Sequence, residues 1–432
     1  MLFLSSFIVS SFLLVASVPI KGQNPSGTTP KHSDTSTVPH DHDVAQLQSL
    51  WLSLLRILLW MKPMRYRLAA QSTRSILYGL RHGSRYPTKS QNKLIKNAVE
   101  NFVEKVKKLV DGGKITDPEL LKFLTSLSGY KYTITSEQEE QLTELGKMEL
   151  LESGKLQYLR YKHLITDGKS VSMSSSNAQR VRKSAAEWIK GFGVSGIAPP
   201  TIIEQEHEKA ASTVVRNDYM KPWKKIYLPR ISESLKKTLQ VELTNDDVLG
   251  LIMMCPFETS ILRKDKTSST ALSPFCKIFS MDQFKDFAWQ GVLDKYYRGT
   301  SKTISRNGLS PTGYTKDLYS RLIESKESSP KFYALFSHDN EMAGIFHVLG
   351  LFLQDKVPSP KAPDDSVTYK TSEVVPFAAR LLIERMTCKH SGSLEFVRVL
   401  VNNAVQPLKW CHGVKNGLCE VKEFIKGPLH KA

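Results

Sequence analysis

The apolar and polar positions divide the chain into stretches of different character. Leu2 to Val18 is nearly all apolar or Ser, and it is too short for a comfortable membrane span. It reads as a secretory signal peptide over 1–22, with a signal anchor as the other reading. Gln23 to Asp43 is rich in Pro, Ser, Thr, Gly and His and has no apolar period, the mark of a linker. His40, Asp41, His42 and Asp43 could touch a metal, but nothing fixes their geometry and a solvated linker is the plainer reading. A second apolar run, Leu50 to Met61, carries Arg56 and reads as a buried or surface-docked helix. The whole of 23–70 is taken as linker and N-terminal segment.

Beyond it, short apolar runs lead into helical periods. Ser75 to Leu80 predicts a buried strand ending at Arg81. Leu94, Ile95, Val99, Phe102, Val103, Val106 and Val110 then recur at helical spacing until Gly112-Gly113. Leu142, Leu145, Met148, Leu151 and Leu159 continue that spacing, with an interruption expected at Gly154. Ser170 to Ser174 predicts a strand, Ala178 to Phe192 a helix, and roughly 205–325 is mostly helical and basic. Lys331 to Phe336 predicts a strand, followed by a helix with Ile345, Phe346, Leu349 and Phe352 on its apolar side, and Phe396 to Val401 a late strand.

Strands that each lead into a helix, with a helical block between them, predict an α/β fold: a central mixed sheet flanked by helices, with a mostly helical second domain inserted. The expected α/β catalytic domain comprises 71–95, 165–200 and 326–428; the inserted domain comprises 96–164 and 201–325. Composition agrees with a globular chain: of 432 residues, 41% are hydrophobic and 24% charged. The formal net charge of +18 changes the picture, because it asks for an anionic partner: nucleic acid, a membrane surface or a polyphosphorylated small molecule. No stripe of interleaved aromatic and basic residues is present to stack bases, and no stable membrane span is expected.

Ligands of open α/β sheets bind where strand ends meet helix N-termini. The first such junction reads Arg81-His82-Gly83-Ser84-Arg85-Tyr86-Pro87-Thr88. Two guanidiniums, whose planar forks match phosphate oxygens, flank a histidine. Gly83 is expected to let the backbone come close to a ligand. R-H-G-x-R-x-P fixes five positions, which chance meets in roughly one of a few million windows. The second junction, Ser174 to Arg180, places Arg180 in the first turn of a helix; the third is Ser337-His338-Asp339-Asn340. Either alone is weak.

Together these residues resemble the histidine acid phosphatases, and within them the phytase and multiple inositol polyphosphate phosphatase group. The resemblance extends from about 76 to 427, through SSNAQRVRKSAAEWIKGF, MCPFETS, SPFCKIFS, VLDKYYRG and the Cys-containing tail. It implies that His82 attacks phosphorus and forms a phosphohistidine. It implies that Arg81, Arg85, Arg180 and His338 hold the phosphoryl oxygens, and that Asp339 is the proton donor, with Glu341 as rival. No cofactor or metal is implied. Neutral His82 and a protonated acid together favour a mildly acidic optimum.

The resemblance also bears on substrate and covalent structure. Lys89 and Lys93 follow the motif closely, and Lys295 matches a position where related phytases set a basic residue against substrate. The neighbouring basic position of those phytases is Asp294 here. Cys255 with Cys276, and Cys411 with Cys419, match family disulfides. Cys388 is odd, since the residue at its partner position is Gln71, and it is expected as a free thiol. The resulting expectation is a secreted, metal-independent hydrolase of inositol polyphosphates. The lumen of the secretory or endolysosomal pathway is the alternative location. A broad acid phosphatase and a non-catalytic basic binding protein are the alternative functions.

Overall fold

The computed structural model describes residues 71–203, 215–265, 268, 270–299, 312–323, 330–354, 356–388, 394–412 and 417–428. The expected signal peptide (1–22) and the 23–70 segment with its His-Asp cluster lie outside these residues. β1 (Gln71–Arg81) is followed by α1 (Lys89–Asp111), α2 (Pro118–Ser128), α3 (Glu144–Tyr161), β2 (Val171–Ser176), α4 (Gln179–Phe192) and β3 (Thr201–Ile203). Four helices come next: α5 (Lys221–Leu239), α6 (Asn245–Leu262), α7 (Met281–Gly299) and α8 (Thr312–Ile323). The chain then runs through β4 (Phe332–Ser337), α9 (Asp339–Val348), α10 (Thr371–Val374), β5 (Arg380–Cys388), β6 (Glu395–Val401), β7 (Ala404–Gln406), β8 (Leu418–Glu420) and α11 (Val421–Ile425).

The strands form one sheet in the order β3-β2-β4-β1-β5-β6-β7, with β8 paired to β6. β3, β2, β4 and β1 are parallel, whereas β5 lies antiparallel on β1 and starts an antiparallel half. This is the expected mixed sheet with flanking helices. Successive strand residues face opposite sides. Ile76, Tyr78 and Leu80 of β1 pack with Leu150, Trp188 and Phe192 of α3 and α4, while Leu77 joins the core made with α1 and α5 to α7. Burial on both faces is why 75–80 and 331–336 read as continuous apolar runs without alternation.

Two helical expectations are corrected. α3 runs unbroken through Gly154, and Leu159 is 65% exposed. The buried face is Gly146, Leu150, Ser153, Gly154, Gln157 and Tyr161, small where α4 approaches. A Cβ on Gly154 would lie 2.1 Å from the Trp188 carbonyl oxygen. The helix after β4 ends at Val348, because Gly350 and Phe352 adopt left-handed backbone (φ 67° and 56°). Leu349 and Phe352 therefore reach the core from the turn after the helix.

Cys255–Cys276 and Cys411–Cys419 are disulfides, with Cα separations of 4.7 and 6.0 Å. The backbone register sets Cys388 opposite Gln71; the Cys388 side chain lies outside the described residues. No helix of the described residues is long and apolar enough to cross a membrane.

Candidate active site

Parallel pairing puts the C-terminal ends of β1, β2 and β4 at one edge of the sheet. Arg81 is level with Ser337, and Ser175 with Phe336. β5 begins at this edge, with Arg380 opposite Leu80. The chain entering β5 and the end of β4 fasten the histidine loop: His82 N–H donates to Ser337 O (3.1 Å), and Ala378 N–H to His82 O (3.0 Å). Gly83 does make a close approach, but to protein rather than ligand. A Cβ there would lie 2.3 Å from the Gly146 carbonyl oxygen of α3. Next to it, the Ser84 N–H and hydroxyl donate to the Glu149 carboxylate at 2.8 and 3.0 Å. The loop is thus packed backbone to backbone on the first turn of α3.

His82 is 3% exposed. Its Nδ1 lies 2.9 Å from the Gly83 carbonyl, which can only accept. Nδ1 therefore carries the proton, and Nε2 presents its lone pair. Burial, followed by the charge of Arg81, pulls the imidazole well below its ordinary titration range, so the ring is neutral.

The cations surround it. Arg81 stacks over Phe377 (4.3 Å), donates to Val375 O (2.5 Å) and pairs with Asp339 Oδ2 (3.1 Å). Arg85 donates to Tyr86 O (2.8 Å), and burial lowers its pKa to about 10. Arg180, in the first turn of α4, donates to Glu140 Oε2 (2.6 Å) and approaches His338 Nδ1 (3.4 Å). The Nε atoms of all three arginines are buried without a partner among the described residues. That concentration of unpaired donors is what an anion would satisfy.

The His338 ring stands 5.3 Å from that of His82. An arginine only donates, so His338 Nδ1 accepts and Nε2–H points to Ser176 Oγ at 3.2 Å. Burial and then Arg180 lower His338 to about 3, so it too is neutral. Asp339 opens α9. Burial would raise its carboxyl, but Arg81 and then Lys295 (3.0 Å) outweigh that and hold it well below the ordinary range. Glu341 accepts from the N–H of His338, the N-cap of α9, at 3.2 Å, so it braces the first turn of that helix.

The other expected substrate contacts are placed differently. Lys295 touches Asp339, Asp294 (3.2 Å) and Asn340 (2.6 Å), so it sits on the carboxylates beside the histidine. Lys89 and Lys93 are exposed on the first turns of α1. Two neighbours went unnoticed in the sequence: Glu140 and Phe377, whose ring is also 5.6 Å from that of His82. Glu140 lies in a polar run and Phe377 before a strand that was not expected. No linear pattern marks either; only the folding of distant segments over the end of β1 does.

Fold and site together define the class: an α/β protein whose parallel strand ends gather three guanidiniums around a buried histidine. Residues 80–200 and 204–402 match the histidine phosphatase superfamily (branch 2). Phytase A of Aspergillus fumigatus is 31% identical over 395 residues, covering 80% of this chain and 80% of that protein. Phytase A of Arthroderma benhamiae is 29% identical over 392 residues, covering 80% and 81%. Solved structures share the fold. The phytase from D. castellii has a TM-score of 0.66 at 20% identity, covering 84% of this chain and 79% of that one. The multiple inositol polyphosphate phosphatase of Bifidobacterium longum, in complex with inositol hexasulfate, has 0.59 at 14%, covering 84% and 93%. The chain belongs to branch 2 of the histidine phosphatase superfamily and is a phytase-like phosphoric monoester hydrolase.

Proposed function

We propose that the protein is a secreted hydrolase of inositol polyphosphates that works through a phosphohistidine at His82. One observation carries this reading: a neutral imidazole that presents its Nε2 lone pair lies among three guanidiniums whose buried Nε–H groups lack acceptors among the described residues. Nε2 attacks phosphorus, and the P–O ester bond breaks. Asp339 gives its proton to the leaving alkoxide. Water then attacks the phosphohistidine, Asp339 takes a proton from that water, and the N–P bond breaks to release orthophosphate. Arg81, Arg85, Arg180 and His338 are the groups placed to hold the oxygens as charge redistributes. The salt bridge to Arg81 keeps Asp339 ionised without substrate. A phosphate dianion that draws on Arg81 weakens that bridge and readies the acid for protonation.

The substrate class is supported by the net charge of +18, by Lys89 and Lys93 after the motif, and by relatives that are named phytases. Asp294 beside Lys295 favours a second reading, a broader phosphomonoesterase, because it offsets a cation near the site. The apolar stretch within 1–22 supports secretion. Segments 71–95, 165–200 and 326–428 are read as the catalytic domain, and 96–164 and 201–325 as the helical insertion.

The test compares the parent with His82→Ala in phosphate release from phytate and from 4-nitrophenyl phosphate, with EDTA present. The parent releases phosphate from both, with the higher kcat/KM on phytate, and acid-quenched enzyme carries a phosphohistidine. Release that persists in the variant overturns the nucleophile. Equal or lower kcat/KM on phytate turns the reading to the broader phosphatase.

A further inference from the structure

Glu140 is an unusual neighbour for a phosphate site. Its Oε2 accepts from Arg180 Nη1 at 2.6 Å, yet its side chain is 46% exposed. Its φ of 63° lies in the left-handed region that disfavours non-glycine residues. The strain is held by its own N–H, which donates to Pro87 O (3.0 Å), and by the adjacent Tyr86 N–H to Gln141 O bond (2.8 Å). The Glu140 backbone is therefore fixed to the loop that carries Arg85, and its carboxylate lies on one of the cations that an incoming phosphate needs.

We propose that Glu140 is a specificity-determining residue that limits the anion affinity of this site. It competes with a phosphoryl group, and with any second phosphate beside it, for Arg180. The competition weakens retention of orthophosphate and penalises polyanionic esters more than singly phosphorylated ones. This rests on the reading that phosphate lies among Arg81, Arg85 and Arg180. Removing a unit charge a few ångströms from a bound anion at a half-exposed site changes its affinity about tenfold.

The experiment measures inorganic phosphate as a competitive inhibitor of 4-nitrophenyl phosphate turnover, with KM for that ester and for phytate. The variants are Glu140→Gln, Glu140→Gly and Glu140→Asp. Gly suits the left-handed backbone, so it removes the carboxylate without strain. The expected result is an inhibition constant about tenfold lower in the Gln and Gly variants, a gain that shrinks as salt rises, and a larger fall in KM for phytate than for the aryl ester. Asp restores values toward the parent. An inhibition constant that is unchanged or higher in both variants makes Glu140 a brace for Arg180 and overturns the inference, as does a salt-independent gain. In that case the parent still turns over, and the phosphatase reading stands. A parent with no turnover on either ester sinks that reading itself.

Discussion

Two clusters of buried charge lie on the same sheet and are built in opposite ways. Midway along β5, Glu384 is 1% exposed. One oxygen accepts from Arg160 (2.7 Å) and the Tyr161 hydroxyl (2.5 Å), the other from Arg398 Nε (2.6 Å). One carboxylate is shared by two guanidiniums and a phenol, and both its oxygens are occupied. At the ends of β1, β2 and β4 pairing is incomplete: Arg81 meets Asp339 and Arg180 meets Glu140, but the Nε–H groups of Arg81, Arg85 and Arg180 have no acceptor among the described residues. Desolvating charge is costly, and only complete pairing offsets it. The Glu384 cluster closes on itself and belongs to the fold. The strand-end cluster keeps donors that no described residue accepts, and this is the opening the proposed phosphate would fill.

The contrast breaks if the two clusters respond alike to mutation. The largest expected effect is at the open one. His82→Ala removes the nucleophile and should lower kcat by about 10⁴-fold or more. Because the arginines remain, orthophosphate should still bind the variant with an affinity within a few-fold of the parent's, and the thermal midpoint should hardly move. At the closed cluster the pattern inverts. Glu384→Ala leaves Arg160 and Arg398 facing each other without an anion and should destabilise the fold by about 3 kcal/mol. Chemical denaturation measures that loss, and kcat of the folded fraction stays at the parental value. A Glu384→Ala protein that is fully folded and inactive would contradict the division.

The open cluster was the more legible of the two. Arg81, His82 and Arg85 lie within one short motif after a strand, and Arg180 and His338-Asp339 follow strands of the same parallel set. A parallel sheet brings such ends together, so local strand-then-helix patterns suffice to find them. The closed cluster was invisible. β5 carries Arg380, Glu384 and Arg385 within its length, so it lacks the apolar run that marks β1 and β4. Burial of Glu384 depends on Arg160 of α3, far away in sequence, and on Arg398, which only the pairing of β5 with β6 sets opposite it. The α3 stripe misled for a related reason: beside Leu150 and Tyr161, its buried positions are Gly, Ser and Gln, because backbone packs closely at the glycines. Glu140 and Phe377 had no signal, since their role comes from what lies across the loop.

A smaller effect sharpens the assignment within the open cluster. If Asp339 protonates the leaving oxygen, Asp339→Asn should depend on how much that oxygen needs a proton. Phosphate release from an alkyl ester such as an inositol phosphate should fall by about 10²-fold to 10³-fold. Release from 4-nitrophenyl phosphate, whose leaving group is stable as an anion, should fall far less. Equal losses on both esters would return the acid role to another group, with Glu341 the first to test, although one of its oxygens is taken by the His338 N–H.

The smallest effects are in pH dependence, where the sign is decided by the charges in contact. Burial and then Arg81 lower His82 from its ordinary value of 6.5, so protonation silences the nucleophile only at more acid pH. The acid limb of kcat/KM should therefore lie below pH 6.5, and a bell centred above about pH 8 is incompatible with this site. Asp339 moves the opposite way when its partners are removed. Lys295 favours its charged form, so Lys295→Met should raise the Asp339 carboxyl and keep the acid protonated to higher pH. The basic limb of kcat should then move to higher pH while the acid limb keeps its place. A basic limb that stays put, or moves to lower pH, would mean that Lys295 acts on substrate rather than on the acid. The open cluster would then extend one residue further than its contacts show.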